Sequence, residues 1–116
     1  MIYEFTISTP KNTAESAKQK TVLKLEAGMI TDLKVWFPLG STRYLHLQLC
    51  KGGHQFLPKS VGDFRGNGVL LDFPSPQIPF YDAPYELDAF TWNTSTRHAH
   101  ELDIYLEISR PAGFIG

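Results

Sequence analysis

The chain has 116 residues, 42% hydrophobic and 13% aromatic, with 11 basic side chains against 12 acidic ones and a formal net charge of -1. A single domain of this length buries roughly two-thirds of its unfolded surface, enough for a core without metal or disulfide. The balanced charge excludes the basic footprint of a nucleic-acid or anionic-lipid binder, and the apolar content excludes a disordered chain.

The first predicted strand is Ile2–Ser8, where Tyr3, Phe5 and Ile7 alternate with Glu4, Thr6 and Ser8, a period of two that gives one buried and one wet face. Residues 9–20, TPKNTAESAKQK, carry no large apolar side chain and read as a long, solvated polar arm or loop. Strands follow at Thr21–Glu26 and Met29–Phe37, and Ala27-Gly28 between them reads as a tight hairpin. Arg43–Lys51 places Leu45, Leu47 and Leu49 inward and Tyr44, His46, Gln48 and Cys50 outward. Gly52-Gly53 signals a second hairpin leading into His54–Pro58. Residues 59–66 form a loop, Gly66-Asn67-Gly68 a turn, and Val69–Phe73 a short strand. The four prolines of residues 73–84 predict an ordered, extended surface loop whose Ile78, Phe80 and Tyr81 pack on the domain or on a neighbour. Tyr85–Asn93 sets Leu87 and Ala89 against Phe90 and Trp92, and His98–Ser109 sets Leu102, Ile104, Leu106 and Ile108 against Glu101, Asp103, Tyr105 and Glu107. Residues 110–116 form a short, flexible, partly apolar tail.

Eight short strands and no convincing helix imply an all-β protein. The expected architecture is one antiparallel β-sandwich over residues 1–116, jelly-roll in topology. Its expected core is Phe5, Ile7, Leu23, Leu25, Leu33, Val35, Leu45, Leu47, Leu49, Leu87, Leu102, Ile104 and Leu106.

Sites of chemistry are few. His98 and His100, two apart on a strand, face the same way, as ligands of β-barrel metal sites do. His46 or His54 could add a third imidazole. Cupins use such an HxH pair, but the carboxylate that follows it there is replaced here by Ile104 and Tyr105. The pair therefore reads as the start of the inward face that continues through Leu102, with no metal or other cofactor expected. Cys50, the single cysteine, cannot close an intramolecular disulfide and has no catalytic context. No GxSxG elbow or phosphate loop followed by a helix is present, so no enzymatic activity is expected. The opening MIYEFTIS lacks the basic region, apolar stretch and cleavage site of a leader, and no apolar run approaches the ~18 residues of a membrane span. Synthesis in the cytoplasm without a signal peptide is the expectation.

Trp36, Tyr44, Phe90 and Trp92 fall opposite the leucine stripes. Such aromatics anchor a protein interface, stack on sugar rings, or are covered by the domain's own loops. Trp36, Ile78, Phe80, Phe90, Trp92, Phe114 and Ile115 are the predicted partner contacts.

The runs MIYEFTISTPKNT, KTVLKLEAGMITDLKVWFP, LHLQLCKGGHQFLP and PYELDAFTWNTSTRHAHELDIYLEI, in that order, resemble small β-sandwich proteins of tailed phages. The resemblance covers most of the chain, and its motifs are structural. It implies a virion structural protein, a head decoration (cement) protein that forms trimers and straps adjacent subunits of the major capsid protein. The alternatives are a small carbohydrate-binding module built on Trp36 or Trp92 and, third, a metal-dependent cupin-like enzyme.

Overall fold

Period-two alternation is realised in eight strands: β1 (Ile2–Thr9), β2 (Gln19–Lys24), β3 (Gly28–Phe37), β4 (Leu45–Lys51), β5 (His54–Leu57), β6 (Val69–Phe80), β7 (Glu86–Asn93) and β8 (His100–Ser109). The computed structural model describes residues 2–40, 44–51, 54–57, 64–66, 68–81 and 83–109, with the main chain alone at 54–57, 69 and 74–77. Phe114 and Ile115 lie outside the described residues. The helical content among the described residues is one 3-10 turn, Glu15–Ala17.

The strands form two four-stranded antiparallel sheets, ordered β1–β8–β3–β6 and β2–β7–β4–β5. The first strand pairs with the last, the second with the seventh, the third with the sixth and the fourth with the fifth. The β3–β8 and β4–β7 pairs complete the sheets. This is a long antiparallel hairpin rolled on itself, the jelly-roll pattern of an all-β sandwich. Its interior holds Ile7, Leu23, Leu33, Val35, Leu45, Leu47, Leu49, Leu87, Leu102, Ile104 and Leu106, all buried as expected. Phe5 and Leu25 differ: they are half-buried and pack against the margin of this cluster.

Two local readings are corrected by the topology, and two further segments are placed by it. Ala27-Gly28 does not close a hairpin, because β2 and β3 belong to opposite sheets. Gly28 is needed for a different reason: a Cβ there would collide with the Ile108 side chain and lie 2.9 Å from the Ser109 carbonyl oxygen. Residues 9–20, read as a polar arm or loop, are the mostly exposed crossover from β1 to β2. Asn12 N donates to Ser95 O (2.8 Å), and Thr13 and Asn93 exchange main-chain bonds of 2.8 and 3.0 Å. The proline-rich stretch expected as a loop continues β6 through Phe80. Among the described strands β6 pairs with β3 alone, an edge position of the kind to which prolines in sheets are confined.

Strand β3 carries an irregularity, a register slip between Ile30 and Asp32. The extra residue, Thr31, changes the inward parity of the strand. Ile30 before it and Leu33, Val35 and Phe37 after it all point into the core. On β6 the irregularity spans residues 75–77, and beyond it Ile78 and Phe80 lie opposite Ile30 and Gly28.

One end of the interior is polar. Thr9 on β1 donates its hydroxyl to Thr91 on β7 (2.8 Å), linking the two sheets. Beside it the buried Asn93 carboxamide donates to Thr9 O (3.1 Å) and His98 O (3.0 Å) and accepts from Ser95 N (3.1 Å).

Two substitutions test this packing by urea denaturation. Leu47→Ala is expected to cost about 2–5 kcal/mol; a loss under about 1 kcal/mol would contradict its place in the core. Asn93→Ala strands several buried main-chain groups and should cost about 2–4 kcal/mol.

Candidate functional site

Alternation places a second set of side chains on the outer face of the β1–β8–β3–β6 sheet. Register aligns them in rows: Thr6, Asp103, Trp36 and Leu70; then Glu4, Tyr105, Lys34 and Asp72; then Ile2, Glu107 and Asp32. Trp36 is 37% exposed, Leu70 46% and Ile2 75%. Ile2, Leu70 and Tyr105 frame a shallow depression of about 370 Å³, bordered by Asp32, Lys34 and Glu107.

The face is acidic. Glu4, Asp32, Asp72, Glu101, Asp103 and Glu107 belong to it, and Lys34 is its one basic residue among those described. Asp32 pairs with Lys34 at 3.6 Å, and Asp103 accepts from the Thr6 hydroxyl at 2.7 Å. The other four carboxylates make no ion pair with a described residue. Directly opposed and diagonal positions on neighbouring strands are close enough for like charges to repel. The Tyr105 phenol registers the environment: desolvation, then the nearby Asp103 and Glu4 carboxylates, raise its pKa above the ordinary 10.0.

The outer face of the β2–β7–β4–β5 sheet differs, because the chain covers its own aromatics there. Trp92, predicted as an exposed contact, is buried. Its ring stacks on His46 with centroids 4.9 Å apart, and Lys18 Nζ sits 5.1 Å from its centroid. The same ammonium lies 5.9 Å from the half-buried Phe90 and donates to Gln48 Oε1 at 3.0 Å. Lys18 belongs to the β1–β2 crossover, so the segment read as a solvated arm supplies the cover. Phe80 is also corrected from exposed contact to core: it is fully buried, with Lys51 Nζ 4.6 Å from its centroid. Ile78 is half-buried against the core. Of the predicted contacts within the described residues, Trp36 alone is openly exposed.

Ile2 and Leu70, missed among the contacts, carried a signal. Within Val69-Leu70-Leu71 one apolar residue of a two-faced strand must point outward, and Ile2 precedes an inward Tyr3.

A second concavity, about 930 Å³, lies where the β3–β4 and β7–β8 connections meet, with Tyr44, Arg97, His98 and His100 in its lining. Tyr44 and His100 stack with centroids 6.1 Å apart and planes at 3°. His98 is exposed in the connection, and only His100 begins the inward series of β8. His46, stacked on Trp92, does not join them, and the His54 side chain is outside the description. Among the described residues no group of three or more His, Cys, Asp or Glu side chains could hold a metal ion.

Removing charge from the acidic face should not weaken the fold. Glu107→Gln is expected to leave stability unchanged or raise it by up to about 0.5 kcal/mol in urea titrations at low salt. Because the folded phenol of Tyr105 titrates above its unfolded value, stability should fall as pH rises beyond 10.0. Glu4→Gln should lower the spectrophotometric midpoint of Tyr105, and an unchanged midpoint would count against the proximity of that carboxylate.

No protein-family model matches the chain, and a search of curated proteins finds no match.

Proposed function

We propose that this chain is a non-enzymatic structural protein that docks onto a neighbouring protein through the outer face of the β1–β8–β3–β6 sheet. The observation that carries this reading is the exposure of Trp36, Leu70 and Ile2 on one face of this sheet, whereas Trp92 on the outer face of the opposite sheet is covered by Lys18. A rigid sheet that presents a tryptophan beside a depression supplies the anchor typical of a protein interface. The carboxylate rim specifies the partner surface: apolar at its centre and basic around it. It also disfavours a two-fold contact of this face with itself, which would set six carboxylates against six.

Joined to the resemblance described above, the finer proposal is a capsid decoration protein of a tailed phage, trimeric and bound to the major capsid protein in the virion. A cyclic trimer uses heterologous contacts, in which the acidic face of one copy meets a different surface of the next. The carbohydrate alternative loses Trp92 as a platform, since that ring is buried.

Native mass spectrometry of the purified protein is expected to give a metal-free trimer near three times 13.1 kDa. Purified virions should contain the protein, and Trp36→Ala should weaken its binding to capsid shells by roughly tenfold or more without loss of folding. A monomer that is absent from virions would overturn the decoration reading.

A further inference from the structure

The cleft between the β3–β4 and β7–β8 connections shares no lining residue with the acidic face. Its backbone is fixed from within: Ser95 Oγ accepts from the main-chain N–H groups of Arg97 (3.3 Å) and His98 (3.2 Å), and Thr94 N donates to Tyr44 O (3.0 Å). The Arg97 guanidinium and the imidazoles of His98 and His100 have no hydrogen-bond or ion-pair partner among the described residues. No described carboxylate lines the cleft, and Glu101, the neighbour of His100, points to the other side of β8. Tyr44, 44% exposed, offers a ring beside these three donors. Cationic donors answer a carboxylate, and an open aromatic ring answers the face of a sugar.

The geometry points to a binding site for a small acidic sugar in this cleft, its carboxylate held by Arg97, His98 and His100 and its ring against Tyr44. The site is independent of the docking face proposed above. Affinity should depend on pH. Burial, and then the neighbouring His98, hold the His100 pKa below 6.5, so His100 is neutral at pH 7 and gains charge on acidification. The groups that face it are His98 and Arg97 from the β7–β8 connection, Tyr44 ahead of β4, and the uncharged Thr9, its register partner on β1.

Titration calorimetry with glucuronate, glucose and inorganic phosphate, at about pH 5.5 and about pH 7.5, tests the assignment. Glucuronate is expected to bind several-fold more tightly at the lower pH, and glucose not to bind. Arg97→Ala and Tyr44→Ala should each weaken glucuronate binding roughly tenfold or more, with thermal unfolding unchanged. Absence of saturable glucuronate binding at both pH values would overturn the proposal. So would indifference to Arg97→Ala. Phosphate binding as tight as glucuronate binding, unaffected by Tyr44→Ala, would reduce the cleft to a simple anion site and equally overturn it.

Discussion

The carboxamide of Asn93 holds together the end of the sandwich from which the cleft of Arg97, His98 and His100 takes its shape. Buried and fully engaged, it ties the end of β1 to the β7–β8 connection, while its main chain pairs with Thr13 in the β1–β2 crossover. The β1–β2 and β7–β8 connections, which both leave the sheets at this end, thus share one residue. Buried main-chain groups need partners, and connections here have no ladder to supply them. Pinning the crossover places Lys18 over Trp92; pinning the β7–β8 connection sets the backbone from which Arg97 and His98 project. Surface chemistry on two sides of the molecule is therefore tied to one internal residue, through its main chain at the crossover and its carboxamide at the β7–β8 connection.

Strand alternation was legible wherever one face is apolar and the other charged. β8 is the clearest case: Leu102, Ile104, Leu106 and Ile108 interleave with Glu101, Asp103, Tyr105 and Glu107, and the structure buries the first set. Reading failed where nonlocal packing overrides a local signal. Ala27-Gly28 looks like a turn because glycine suits turns, yet the glycine answers the close approach of Ile108, some eighty residues away. Prolines suggested a loop over 73–84 because a proline weakens a ladder, and nothing local marks β6 as an edge strand. The irregularities at Thr31 and at residues 75–77 likewise have no signature in the sequence, and past them Phe80 enters the core while Ile78 packs half-buried against it. Trp92 was misread for a related reason: its cover, Lys18, comes from a segment with no large apolar residue to announce packing.

Near-neutral net charge concealed a segregated surface. Half of the acidic residues sit on one sheet face with a single lysine, so basic side chains are displaced to the remainder of the chain. The charge balance spoke against a nucleic-acid binder, but it could not reveal this polarity, which arises only when register brings β1, β8, β3 and β6 side by side. An arrangement of like charges that costs stability and is kept on an exposed face is better explained by recognition than by folding.

The nested pairing of the strands also sets the order in which the molecule can assemble. Only β4 and β5 are neighbours in sequence and in space; every other pair encloses it, out to Thr6 and Asp103, which bond across 97 residues. Closing the outer loops first would carry the largest chain-entropy cost, so pairing should propagate outward from the β4–β5 hairpin. During synthesis β1 must wait for β8, the last strand described, before its edge finds a partner. Until then the main-chain groups of β1 have no ladder partner, and a nascent chain interrupted before residue 100 leaves them to water.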